Sequence, residues 1–279
     1  MNKQQLIALC HKLAKEKNLP FNTILTYCFL EKILFLLSTC SYNDKFIFKG
    51  GILLSNIVGV ETRSTVDIDF LVRNTQFGKE NVERIFSEAL RENSEDDIKY
   101  SIQSIEPIKE DTEYGGIRVS VMCKLENIRT VVQLDIATGD IITPEPATYY
   151  YKSIFGFEEI KILAYPIETI IAEKLQTIYS RGFLNSRSKD YYDLFILFKL
   201  KSEHIDKRTL IIACQRTFKN RNTEFSLKKI DSLLNSLRED KTFVQRWKVY
   251  AQKNSYVRGI EFAQTIEEVQ KLLSWIDSM

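Results

Sequence analysis

The stretch Arg63-Ser64-Thr65-Val66-Asp67-Ile68-Asp69-Phe70-Leu71-Val72 decides how the chain reads. Val66, Ile68, Phe70 and Val72 alternate with Asp67, Asp69 and Leu71. That period of two predicts a strand over 66–72 with both aspartates on one face. The strand rise sets their Cβ atoms about 6–7 Å apart. Parallel carboxylates pointing into one space repel, and a bridging divalent cation relieves the repulsion. Oxygen-only ligands suit Mg²⁺, which keeps waters and takes phosphate oxygens as its other partners. An isolated Asp-x-Asp pair on a polar strand face is common, so its neighbours have to carry the reading.

Upstream, Phe46-Ile47-Phe48 predicts a short strand that Lys49-Gly50-Gly51 interrupts. A short helix over 52–57 is expected directly after the glycines. Glycines allow close backbone approach to a phosphate, and the N–H groups opening a helix attract anions. The bland alternative is a tight strand-to-helix turn. Downstream, Val131–Ile136 predicts a central strand, with Val132, Leu134 and Ile136 on one face. Val131, Gln133 and Asp135 share the other face. Asp135 is therefore the candidate third carboxylate of a two-ion site.

Helical spacing marks residues 3–16, about 22–39 (with Asn22 as its cap), and 79–91. Strands are expected at about 98–105, 117–125 and 130–136, the last two joined through Glu126-Asn127 as a hairpin. The segment 139–157 reads as loop, with Pro144, Pro146 and a run of three tyrosines. A domain boundary falls there, giving domains 1–145 and 146–279. Beyond it, apart from 160–163, only helical patterns remain: 167–179, 189–200, 208–217, 226–237, 241–253 and 266–276. The first half thus combines strands and helices, and the second is all-helical.

In the second half, Lys174 falls within the apolar stripe Ile167, Ile170, Ile171, Leu175, Ile178. A lysine there needs an anionic partner, and a triphosphate or an internal salt bridge would serve. Arg187, Lys189, Asp190 and Asp193 open the next helix, where Asp193 reads as complementing the helix dipole. From Lys174 to Arg221 there are 11 Lys/Arg against 4 Asp/Glu. Such an excess holds phosphates if it folds onto one face, and is otherwise a solvated helical surface.

The chain has 279 residues, 44% hydrophobic, enough for one large core or two modest ones. Its net charge of +2 excludes nothing about nucleic-acid partners. Five cysteines without a CxxC pair, and only His11 and His204, argue against a zinc site. Cys10, Cys28 and Cys123 read as small core residues. The first residues lack an uninterrupted apolar core and a small-residue cleavage site, so no signal peptide is expected. The apolar stretch 24–37 reads as too short and too charged to span a bilayer. A reduced, cytoplasmic location is the expectation, with no membrane partner.

In order along the chain, these motifs resemble the AbiEii/AbiGii toxin family of nucleotidyltransferases, within the DNA polymerase beta-like superfamily. The match runs from Phe46-Ile47-Phe48-Lys49-Gly50-Gly51 through Arg63-Ser64-Thr65-Val66-Asp67-Ile68-Asp69-Phe70. It resumes at Pro166-Ile167-Glu168-Thr169-Ile170-Ile171-Ala172-Glu173-Lys174-Leu175 and closes at Arg187-Ser188-Lys189-Asp190-Tyr191-Tyr192-Asp193-Leu194. The resemblance implies an α+β fold: a mixed sheet with flanking helices, followed by a helical C-terminal domain. It implies Asp67 and Asp69 as metal ligands, with Asp135 the added candidate from the strand pattern. Gly50-Gly51 would form the triphosphate loop, with Lys49, Arg63 and Ser64 beside it. Lys174 and Asp190 match a lysine and an aspartate taken as nucleotide-contacting and catalytic. Implied besides are Mg²⁺ as cofactor, an NTP as substrate, RNA such as a tRNA 3′ end as acceptor, a cognate antitoxin, and a role in phage defence. One departure stands out. The double glycine is usually followed by Thr or Ser, and here by Ile52, with Ser55 one turn on as the candidate replacement. Two other readings stay open: a transferase acting on small molecules, and a non-catalytic nucleotide-binding module.

Overall fold

The computed structural model describes residues 2–73, 77–91, 97–108 and 115–278. The chain divides into two compact units. Unit 1 comprises Met1–Asp140 and Ala147–Ala164, and unit 2 comprises Ile141–Pro146 and Tyr165–Met279.

Unit 1 holds a seven-stranded mixed sheet. Its strands are β1 (Phe46–Lys49), β2 (Ile68–Val72), β3 (Lys99–Ile108), β4 (Gly116–Leu125), β5 (Ile128–Ala137), β6 (Ala147–Tyr151) and β7 (Ile160–Ala164). The order across the sheet is β3-β4-β5-β2-β1-β7-β6. β2 is central, antiparallel to β1 and parallel to β5. Four helices accompany the sheet: α1 (Lys3–Lys17), α2 (Phe21–Thr39), α3 (Gly50–Val58) and α4 (Lys79–Arg91). The core follows the expected alternation, since Val132, Leu134 and Ile136 are buried while Val131 is 45% exposed. Phe46, Phe48 and Phe70 pack ring to ring, and Phe86 of α4 joins them at Phe46. All five cysteines are buried, and none forms a disulfide among the described residues.

Several expectations need correction. β2 begins at Ile68, so Asp67 lies just before the strand and not within it. α3 begins at Gly50, so both glycines sit in its first turn instead of preceding it. Asn22 is inside α2. The cap is Pro20, whose ring has no donor or acceptor with which to make a side-chain hydrogen bond. α2 has 19 residues and, by length and composition alone, is long and apolar enough to cross a membrane. In unit 1 it is a core helix, with ten buried side chains from Ile24 to Leu37.

The segment 139–157 was expected to be loop throughout, yet it contains β6. Thr148, Tyr149 and Tyr150 pair with Leu163, Ile162 and Lys161 of β7, and β7 in turn pairs parallel with β1. Those hydrogen bonds attach 147–164 to unit 1, beyond the boundary expected at 145/146. The prolines before β6 and the exposed Tyr150 within it, which disguised the strand, are what an edge strand tolerates.

Unit 2 is helical: α5 (Ile167–Arg181), α6 (Ser188–Lys201), α7 (Lys207–Asn220), α8 (Leu227–Arg238), α9 (Lys241–Lys253) and α10 (Phe262–Asp277). Asp206, Ser226 and Asp240 cap α7, α8 and α9 through side-chain oxygens on early backbone N–H groups. α6 and α10 bury an aromatic core in which Tyr191 packs edge-on against Phe243 and Phe262.

Candidate functional site

In unit 1, the register of four adjacent strands builds one row of charges. Lys49 of β1 pairs with Asp69 of β2, Asp69 with Asp135 of β5, and Asp135 with Arg118 of β4. Residues directly opposite one another share a face of the sheet. The sequence along the row is therefore plus, minus, minus, plus. Asp69 and Asp135 sit on strands about 4.8 Å apart, and like charges so placed are destabilising unless something positive joins them.

Arg118 supplies part of that charge. Its Nε and one terminal nitrogen donate to the two Asp135 carboxylate oxygens, each at 2.7 Å. The bidentate bond to Asp135, then its charge and those of Asp67 and Asp69, push the guanidinium pKa above its usual value. Arg118 went unnoticed in the sequence because its partner lies on the other strand of a hairpin, at a register no local pattern reveals. Lys49 Nζ reaches Asp140 Oδ2 at 2.5 Å, and Asp140 was not anticipated either. Lys49 thus buttresses the chain leaving β5, and the structure gives it that bond in place of an open position beside the glycines.

Gly50 is a positional requirement. Its φ is +74°, a region that side chains rarely adopt. A Cβ there would lie 1.9 Å from Asp69 Oδ2, so the aspartate carboxylate fills the space a side chain would need. A Cβ on Gly51 would lie 2.6 Å from the Thr65 methyl group. The glycine pair therefore lets the first turn of α3 close on Asp69 and Thr65 together. Thr65 Oγ1 accepts from the Asp67 backbone N–H at 3.3 Å, and the Thr65 N–H donates to the Tyr27 hydroxyl at 3.2 Å. Arg63 is 4% exposed and donates to the Ser64 carbonyl at 2.7 Å. Arg63 and Ser64 shape the turn into β2 from beneath.

Ile52 is buried. Ser55 cannot replace the missing hydroxyl, because it is 1% exposed and donates to the Gly51 carbonyl at 2.8 Å. The Thr65 hydroxyl also lies beside this helix turn, 3.4 Å from the Cβ position of Gly51.

Asp67 and Asp69 offer hard oxygen donors of the kind a divalent cation takes. The Asp135 carboxylate is engaged by Arg118. Among the described residues no group of three His, Cys, Asp or Glu side chains is gathered closely enough to hold a metal ion. The fit to a cation therefore rests on the Asp67/Asp69 pair, and Asp135 could join only by yielding a bond to Arg118.

In unit 2, Lys174 has the internal ion pair that its position demanded. Its Nζ lies 3.2 Å from Asp190 Oδ1 and 2.5 Å from Asp193 Oδ2. Arg187 Nε contributes to Asp190 Oδ2 at 2.9 Å. Both aspartate side chains are 2% exposed. Asp193 is the sixth residue of α6, beyond the first turn where the dipole acts. Its role is to pair with Lys174, which corrects the dipole reading. Arg221 pairs with Glu173 at 3.3 Å. Three cations of the basic span 174–221, Lys174, Arg187 and Arg221, are thereby paired inside unit 2.

No curated protein matches the chain. Two solved structures from Helicobacter pylori share its fold. One is a protein assigned as a nucleotidyltransferase: 16% identity, TM-score 0.57, covering 93% of this chain and 96% of that one. The other is JHP933: 17% identity, TM-score 0.53, covering 91% of each chain. The family described as nucleotidyl transferase AbiEii toxin, type IV toxin–antitoxin system, matches residues 32–268. That span takes in the glycine turn, the aspartates of the sheet and the Lys174 cluster, and the chain belongs to this family of nucleotidyltransferase toxins.

Proposed function

We propose that the protein transfers a nucleoside monophosphate from an NTP to a hydroxyl of RNA, with a tRNA 3′ end as the favoured acceptor and pyrophosphate as the leaving group. The reading further makes the reaction Mg²⁺-dependent and cytoplasmic, with growth arrest or phage defence as the outcome and a cognate antitoxin as the restraint. The observation that carries it is the Asp69–Asp135 pair facing across the central strands, closed at one end by Gly50. A fold tolerates such a cost where a ligand relieves it.

The acceptor oxygen forms a bond to the α-phosphorus while the bond from that phosphorus to the bridging oxygen breaks. Asp67 and Asp69 would hold the divalent ion, which when bound supplies charge neutralisation at the phosphates. The Gly50 and Gly51 backbone lets the first turn of α3 lie directly against Asp69, so that a phosphate on the ion held there would meet the backbone N–H groups opening the helix. Thr65, in place of a residue following the glycines, orients Asp67 through its backbone N–H. Asp135 holds its carboxylate fixed through Arg118, ready to exchange one of those hydrogen bonds for the acceptor hydroxyl. Lys174 and Asp190 match the lysine and aspartate that the family pattern takes as nucleotide-contacting and catalytic. Positioning and electrostatics supply most of the rate in this chemistry.

The test is incubation with each of the four labelled NTPs, Mg²⁺ and total RNA. Label should enter RNA with at least one NTP, and Asp69→Ala should abolish it. Label confined to small molecules would favour the small-molecule transferase. No label anywhere, or label that survives Asp69→Ala, would overturn the reading.

A further inference from the structure

Unit 2 contains a cavity of about 420 Å³ between the start of α6 and one face of α9. Arg187 and Lys189 line it from the first element, Arg246 and Lys253 from the second, and its lining includes no Asp or Glu. Basic residues from two segments some 60 positions apart in the chain converge there. The walls are held in place. Arg246 donates to the Asn185 carbonyl at 3.0 Å, and its guanidinium lies 5.1 Å from the Phe243 ring centre. Tyr250, also in the lining, has its hydroxyl 3.0 Å from that of Tyr256. Arg187 connects the cavity to the buried cluster through its bond to Asp190.

We infer that this cavity binds the phosphodiester backbone of the acceptor RNA, one nucleotide entering it. Its volume lies in the range of small-ligand pockets. Guanidinium groups recognise phosphate in a planar, two-point fashion that suits a backbone. Tyrosine offers a face on which any base can stack without sequence preference. Four basic side chains converging beside a tyrosine ring, with no acidic residue in the lining, favour RNA over an acidic protein partner. The inference rests on the proposal that the acceptor is RNA, and it assigns the grip to unit 2, apart from the aspartates of the sheet.

The test is fluorescence anisotropy of a labelled tRNA without NTP across a salt series. The variants are Lys189→Gln, Lys253→Gln, their double, and Lys253→Arg as rescue. Each single variant should weaken RNA binding roughly three- to tenfold and reduce the salt slope by about 0.7 for single-stranded contact. Lys253→Arg should restore both, and NTP affinity should stay at the wild-type value. In the transfer assay the double variant should raise the KM for RNA while leaving kcat unchanged. Unchanged RNA affinity and slope in the double variant would overturn the inference and leave the cavity to an anionic protein. Loss of NTP affinity in place of RNA affinity would overturn it equally. The two readings fail separately. If no NTP labels RNA but the variants still weaken RNA binding, the activity falls and the cavity stands. If the double variant labels RNA with a normal KM, the cavity falls and the activity stands.

Discussion

In unit 1, Asp69 and Asp135 face one another on neighbouring strands, and the guanidinium that serves Asp135 is 41% exposed. In unit 2, Asp190 and Asp193 are 2% exposed and close on a lysine that is 16% exposed. Both regions collect aspartates around a cation, but solvent separates their energetics. At the Arg118 end of the row, where the guanidinium is 41% exposed, water weakens the ion pair and it contributes little to stability. Such carboxylates remain able to exchange partners. In the buried cluster each charge depends on its partner, because desolvation costs far more than an unpaired group can sustain. The first arrangement suits a group that must bind and release a charged ligand. The second suits one that must hold a precise position.

The sharpest break of this comparison is Lys174→Met. It leaves two buried carboxylates without their cation and should cost about 3–5 kcal/mol, read from urea unfolding. The triple variant Lys174→Met/Asp190→Asn/Asp193→Asn should recover most of that loss. If Lys174→Met is as stable as wild type, the buried cluster does not carry the charge balance described.

Gly50→Ala should follow in size. The positive φ alone costs about 1–3 kcal/mol, and the methyl group must also displace the Asp69 carboxylate. Thermal unfolding should show the loss, while Gly51→Ala should act through Thr65 and spare Asp69.

Glu31 tests burial without a cationic partner in hydrogen-bonding range. It accepts from the Tyr151 and Ser153 hydroxyls and the Ile154 N–H. Burial raises its pKa from 4.5 to about 7, with those hydrogen bonds and the charge of Lys32 opposing. Tyr27 and Tyr151 are the other titratable groups that face it. Between those two values the folded state binds more protons than the unfolded chain. The stabilising contribution is therefore complete below about pH 4.5 and is lost as pH rises through 7. Glu31→Gln should flatten that slope and stabilise the protein at pH 8 by up to about 3 kcal/mol relative to wild type. An unchanged slope in melting temperature between pH 5 and 8 would exclude this role.

Arg118→Met should have the smallest effect on stability, within about 1 kcal/mol, because the pair is solvated. It should nonetheless increase the rise in melting temperature on adding Mg²⁺, since three carboxylates lose a competing cation. Equal Mg²⁺ responses in variant and wild type would show that Arg118 and the ion do not share Asp135.

Local pattern made much of this protein legible. Alternation located β2 and β5 and their inward faces, and helical spacing found each long helix of unit 2. The same spacing flagged Lys174 as a cation on an apolar stripe that required an anion. β6 escaped because it is a short edge strand with prolines just before it, and only Tyr151, at its end, is fully buried. Asp67 fell outside its strand because hydrogen bonding to β1 and β5, and not side-chain alternation, ends β2 at Ile68.

The sequence by itself determined which residues could form elements, since local propensity and hydrophobic period act over a few positions. It also determined the family, through motifs that keep their order along the chain. Tertiary structure alone decided which charges meet. Arg118 reaches Asp135 through strand register, Lys49 reaches Asp140 across 91 positions, and Lys174 selects both Asp190 and Asp193 by helix packing. Ion pairing depends on distance in space and on burial, and neither is a property of a local stretch of chain.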